Sequence, residues 1–260
     1  MRHSFLALFA VLLGGASAHA QSAAPPQPAD QDQLNAVIQR WEKEMASVRT
    51  LAAQCVRTEV NRTFGYTEVF TGVARYMKLD VGGRIANLAL LEMMKKDRPE
   101  VVEKFICTGD LLYQFVSQQK EIRVHQLPAS RPGQVSDDNF FSFLFGMKAE
   151  VARQRYEMTL QMPNDPNYIY LLIKPRTPQD RADFQQARLV LRRDTFLPRQ
   201  LWFEQPTGDH VTWDIPKIEN GAQLDRREFV APDTQPGWKM VRVQPKNVEA
   251  QPRIYRPQQP

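Results

Sequence analysis

Beyond residue 20, His125 and His210, Cys55 and Cys107, and the acidic pair Asp137-Asp138 are the first candidates for proton transfer, thiol chemistry or metal ligation. Their spacing supports little of it. His125 stands alone in IRVHQ, where, with Arg123 nearby, it reads as a solvated or core-edge position on a strand face. His210 follows Asp209 in GDHVTW; a carboxylate can orient an imidazole, but the pair has no evident nucleophile to activate. Asp137-Asp138 could form a paired carboxylate, yet capping of a following helix accounts for it with less. His-Glu-x-x-His, Cys-x-x-Cys and Gly-x-Ser-x-Gly do not occur, and no glycine-rich phosphate loop leads into a helix. The expectation is a chain with no catalytic residues, no metal ligands and no cofactor, and so not an enzyme. Asn61-Arg62-Thr63 fits the glycosylation sequon, which has meaning only in a eukaryotic host.

The stretch that most needs an explanation is apolar. NFFSFLFGMK, residues 139 to 148, holds Phe140, Phe141, Phe143, Leu144, Phe145 and Met147. SDDN precedes it, so Ser136 or Asp137 can cap a helix with an acidic first turn, and MKAEVARQ follows with good helix formers. The expectation is one helix over 138–151, apolar around more than a narrow stripe. At about 1.5–3 kcal/mol per buried phenylalanine, four such rings represent an upper bound of roughly 6–12 kcal/mol, the size of a whole domain's net stability. Those rings must therefore face either a sheet or a lipid-like ligand. In one reading the helix closes the core. In the other it is a lid over a curved sheet, and opening it exposes an apolar pocket lined by the same six residues together with Met158 and Leu160 of a neighbouring strand.

The elements that would position such a lid are legible as periods. QLNAVIQRWEKEMA carries Leu34, Val37, Ile38, Trp41 and Met45 at helical spacing, with charges on the other side. After it the period changes to two. In TEVFTGVARYMKLDV, Val69, Thr71, Val73, Met77, Leu79 and Val81 share one parity, against Glu68, Lys78 and Asp80; in RYEMTLQM, Tyr156, Met158, Leu160 and Met162 alternate with polar residues. YIYLLIKP, ARLVLRR, RQLWFEQ and HVTWDIPKI continue the series, separated by NDPN, PRTPQD, RDTFLP and EQPTGD. Short alternating runs between turn residues indicate an antiparallel meander whose strands each have one wet and one dry face. Residues 86–96 are ambiguous: ALLEMM favours a helix by propensity, whereas the turn at Asp97-Arg98-Pro99-Glu100 favours a strand, the reading preferred here.

The first twenty residues, MRHSFLALFAVLLGGASAHA, combine a basic start, a short apolar run and small residues ending in Ala18-His19-Ala20, the grammar of a secretory signal peptide. The run is too short for a helix across a bilayer, and no cysteine follows it to carry a lipid anchor. Residues 21–33 and 244–260 are Pro/Gln-rich with little to bury and are expected to be disordered. The domain is expected to occupy 34–243. The formal charge of +5 falls to +4 without Arg2, and the basic residues are interleaved with acids, so no nucleic-acid partner is expected. Two cysteines in an oxidising compartment allow either a Cys55–Cys107 disulfide or two buried thiols on different strands.

The order of these elements is similar to that of the periplasmic lipoprotein-carrier (LolA-like) superfamily, in an exported subfamily of unassigned role. The resemblance rests on FTGVARYMKLD as an early strand pair, FICTGDLLYQFVSQQKEIRVHQL as the next hairpin and its continuation, and FLFGMK in the place of a lid helix. RLVLRRDTFLPRQLWFEQPTGDHVTWDI stands for the late strands, and DRREFVAPDTQPGWKMV for the closing strand with Phe229, Pro232 and Gly237. The turn reads Thr-Gly-Asp where the family has Asp-Gly-Lys, and the family's lid-latching arginine matches no single position. The resemblance implies a mainly β fold: a long antiparallel sheet curled into an incomplete (half) β-barrel, its concave face covered by helices. It further implies an exported, periplasmic, unanchored and monomeric protein that shelters an acyl chain or a lipidated protein and has membrane-associated protein partners. The alternative is a non-catalytic envelope interaction module that binds through its Pro/Gln-rich ends.

Overall fold

The computed structural model describes residues 28–127, 148–162, 164–234 and 236–243. Helix α1 (Pro28–Ser47) leads into β1 (Thr50–Asn61), β2 (Tyr66–Val81), β3 (Arg84–Lys95), β4 (Val102–Cys107), β5 (Leu111–Val116) and β6 (Glu121–Gln126). After β6 the chain reaches α2 (Ala149–Arg155), β7 (Tyr156–Gln161), β8 (Tyr168–Pro175), the single turn α3 (Pro178–Arg181), β9 (Gln186–Arg192), β10 (Pro198–Glu204), β11 (His210–Asn220) and β12 (Lys239–Val243). The twelve strands form one sheet in the order β12-β6-β5-β4-β3-β2-β1-β11-β10-β9-β8-β7. Two meanders thus meet where β11 returns beside β1. All neighbours are antiparallel except β12, which runs parallel to β6.

Residues 86–96 settle as strand: β3 pairs along its whole length with β2, from Phe70–Lys95 to Val81–Arg84. The hairpin closes through Gly82 and Gly83 alone, at φ +63° and +82°, the left-handed pair that a two-residue turn matched to strand twist requires. The segment FTGVARYMKLD lies within the single long strand β2 rather than forming a strand pair.

The sheet is curled. Residues of nine adjacent strands, β4 through β7 in sheet order, contribute to one apolar cluster around α1. Laid flat at about 4.8 Å per strand they would span roughly 38 Å, several times the width of a helix, so one helix can gather them only if the sheet bends around it. Leu34, Ile38, Trp41 and Met45 of α1 are all buried against Leu171, Ile173, Leu189, Leu191 and Leu201. The sequence period located this face; the helix, however, reaches back to Pro28, into the stretch expected to be disordered.

The expectation of one wet face fails on β2. Phe70, Ala74 and Tyr76 join the concave cluster, while Val73, Met77 and Leu79 join a second one on the opposite face with Leu88, Leu90, Ile106, Tyr113, Ile122 and Val124. That convex cluster is closed by Phe229, Leu224 and Trp238 from the chain after β11. Phe229, expected in the closing strand, sits instead in a 3-10 turn over Arg226–Phe229, capped by Asp225 and Glu228. The helix expected over 138–151 is not continuous either. Lys148 is extended, at φ −61° and ψ 133°, and α2 starts at Ala149; residues 138–147 lie outside the described residues. Among the described residues no helix is long and apolar enough to cross a membrane.

Candidate ligand-binding surface

The concave face has two halves. Over β7–β11 it is filled by α1 and by Ala149 and Ala152 of α2. The two helices are tied where the Ala149 amide donates to Glu42 Oε2 at 3.0 Å and Arg153 Nε donates to Asn35 Oδ1 at 3.0 Å. Met158 and Leu160, expected to touch a ligand, are half-buried here against that packed cluster. Beside Leu160, with Val37, Ile169 and Arg193, a crevice of only ≈ 10 Å³ remains, about room for one water. Phe140, Phe141, Phe143, Leu144, Phe145 and Met147 lie outside the described residues.

Over β4–β6 the same face is different. Opposite residues of an antiparallel pair share a face, so from Phe105 the register carries it to Gln114 and Arg123, and from Cys107 to Leu112 and His125. Phe105, Leu112 and Val116 are half-buried, and neither Leu112 nor Val116 belongs to the cluster around α1. His125 shares a 3.1 Å hydrogen bond with Gln114, and burial, with Arg123 beside it, lowers its pKa. It is therefore a neutral, structural imidazole. His210 stacks obliquely on Trp202, ring centres 6.0 Å apart, and Asp209 turns away to the β1–β2 turn. Among the described residues no group of three His, Cys, Asp or Glu could hold a metal ion.

The cysteines are free. They stand on β1 and β4, three strand spacings or roughly 14 Å apart, beyond the approximately 7 Å Cα limit of a disulfide. Burial pushes the Cys55 thiol up to about 11 and raises Cys107 as well, so neither is a nucleophile.

What sequence reasoning missed is a buried ion cluster on this face. Arg57 donates from Nη1 and Nη2 to the two carboxylate oxygens of Glu103, both at 2.8 Å, and pairs with Glu59. Lys95 pairs with Glu68 in the same region. Arg57, Glu59 and Lys95 are 5%, 7% and 4% exposed. Arg57 lies over the Phe70 ring at 4.2 Å and near Trp213 at 5.3 Å. Its partner Glu103 is three strands away, so concave curvature is what lets the two side chains meet. The signal was present: Leu51, Ala53 and Cys55 set the buried parity of β1, and Arg57 and Glu59 continue it.

Burial raises Glu59 to about 7 against the opposing pull of Arg57, with Glu103 and Glu68 adding to the rise. The unfolded chain releases this proton first, so its contribution to stability is lost as pH rises from about 4.5 towards 7. A Glu59→Gln variant lacks this titration. Its stability relative to the parent is expected to grow by roughly 2–3 kcal/mol between pH 5 and pH 8, read as denaturant midpoints at each pH; parallel profiles would refute the assignment.

No protein-family model matches the chain, and no curated protein matches its sequence. In fold it is similar to an uncharacterised conserved protein from Thermus thermophilus, at 10% identity over 81% of this chain and 99% of that one, TM-score 0.47. A putative outer membrane lipoprotein-sorting protein domain from Vibrio parahaemolyticus matches at 11% identity over 75% and 95%, TM-score 0.40. A LolA superfamily protein from Nitrosomonas europaea matches at 10% identity over 75% and 97%, TM-score 0.34. Each of these likenesses is one of fold alone.

Proposed function

We propose that this chain is an exported, non-catalytic binding protein that shelters an acyl chain, free or attached to a protein, against the β4–β6 half of its concave face. The observation that carries this reading is the contrast between the halves. Beside α1, at Val37 and Leu160, a crevice the size of one water remains, whereas Leu112 and Val116 keep apolar surface outside the cluster around α1. Gln114, Arg123 and His125 lie among them and would meet the polar end of an amphiphile. In the same proposal Phe140, Phe141, Phe143, Leu144, Phe145 and Met147 supply the ligand-facing side of a cover, with Met158 and Leu160 beneath α1 holding its far edge.

The mechanism is partition, with no bond made or broken. Apolar ligand surface replaces apolar protein surface at about 25 cal/mol per Å² on both sides, so net affinity is a small difference between similar terms. That suits a carrier, which must also release.

Gently purified protein is expected to release lipid into organic extracts and to brighten an environment-sensitive apolar dye. Leu112→Asp is expected to weaken dye binding by roughly 10–100-fold, the value of one buried leucine, without loss of the folded baseline. A folded parent that is lipid-free and dye-silent would sink the proposal. Phe141→Asp separates the parts: full dye binding by that variant removes the phenylalanine run from the site and leaves the sheet surface in it.

A further inference from the structure

We propose that the tip of the β1–β2 hairpin docks this protein onto a phospholipid bilayer, with the stacked rings of Phe64 and Tyr66 entering the interface and Arg62 meeting lipid phosphate. Phe64 is 64% and Tyr66 41% exposed, the rings 6.5 Å apart and 19° from parallel. A hairpin turn is ordinarily polar, so two rings held in water at its apex call for a partner.

The tip is braced in that posture. Asn61 Oδ1 accepts from the Phe64 amide at 2.8 Å, and Gly65 completes the turn at φ +68°. Asp209, on the β10–β11 loop, accepts from the Arg62 amide at 2.8 Å, from Asn61 Nδ2 at 3.4 Å and from the Thr207 hydroxyl at 2.9 Å. Asn61 is thereby committed on both ends of its amide, which makes it a structural residue rather than a glycan acceptor. Two hairpins are locked together, and the rings project from a stiff base. Bracing lowers the ordering cost of inserting them.

Charge agrees with a phosphate-bearing surface but does not dominate. The Asp209 carboxylate accepts from the backbone and side chains of the turn, and the Arg62 side chain is exposed. On the neighbouring β3–β4 loop, exposed Asp97 and Glu100 offset Lys96 and Arg98, so the rings must set the affinity. A protruding pair of rings is also too small for a stable protein interface, which takes about 800 Å² per partner. It suffices for a bilayer, where aromatic side chains favour the headgroup level.

The tip extends the strands that carry Arg57, Glu59 and Glu68, so docking turns the charged end of the concave face towards the membrane. That consequence rests on the proposed ligand-binding reading; the docking does not.

The test is co-sedimentation of the full chain, freed of its first twenty residues, with phosphatidylethanolamine–phosphatidylglycerol vesicles. The parent is expected to partition onto them, and Phe64→Ser/Tyr66→Ser to lower that partition by about tenfold or more, with unchanged melting and unchanged dye binding. Arg62→Ala is expected to cost a smaller factor, roughly fivefold. A parent that stays in the supernatant, or a double variant that sediments like the parent, overturns the proposal. Because dye binding is read in the same samples, loss of docking and failure of the concave site give different patterns.

Discussion

Arg57→Ala is expected to lower the unfolding free energy by about 3–5 kcal/mol, the usual cost of removing one partner from a buried pair. The guanidinium is 5% exposed and makes two 2.8 Å charge-assisted bonds to Glu103 while pairing with Glu59. Truncation removes those bonds and leaves the buried Glu59 carboxylate, and the partly exposed Glu103 beside it, without their cation. It also takes the cation from above Phe70, a contact worth about 0.5–2 kcal/mol. The loss should be larger at pH 8 than at pH 5, since Glu59, already raised to about 7, is neutral at the lower pH and needs no counter-charge. A control makes the result specific. Arg57→Met/Glu103→Leu removes both charges and fills similar volume, and is expected to recover most of the loss. Denaturant midpoints for the three proteins decide the matter: a loss below about 1 kcal/mol in the single variant, on the surface-pair scale, would falsify the view that Arg57 acts as a buried charge.

The cluster also marks where sequence reading ran out. Helix α1 was legible because Leu34, Ile38, Trp41 and Met45 repeat at its own period, and the same residues prove to be the buried ones. The later strands were legible because each buries one parity against that helix. β2 was not, because its middle lies in the sheet between two cores, and Val73, Ala74, Tyr76 and Met77 need cover on both sides. Alternation carries no information where neither face is wet. The charges of β1 were invisible for a related reason. A buried Arg57 is tolerable only if Glu103, 46 residues away in sequence, comes within 2.8 Å, and that proximity is set by sheet order and curvature rather than by any local pattern. The extended backbone at Lys148 is a third case: Ala149, Glu150, Val151 and Ala152 are good company for a longer helix, yet α2 starts only at Ala149, where Glu42 accepts the first amide.

Trp41→Ala is expected to cost about 3–5 kcal/mol, the range for an aromatic removed from a core. Trp41 is wholly buried at the centre of α1's inward face, among the strands of the packed half. Ile38 and Met45 flank it on the same helix, so the void cannot be closed by one neighbour's rotation without opening another. Its indole N–H finds no hydrogen-bond partner among the described residues, and a buried unmade bond of that kind costs about 1–3 kcal/mol. Trp41→Phe therefore behaves differently from a simple reduction in size. It loses some volume but also removes the unsatisfied donor, and the two terms offset to within about 1 kcal/mol. If tryptophan instead acts through its N–H, the phenylalanine variant falls as far as the alanine one. Because Leu112 and Val116 lie outside the cluster around α1, Trp41→Phe should leave dye binding there unchanged, so the same pair of variants also tests whether the two halves are energetically separate.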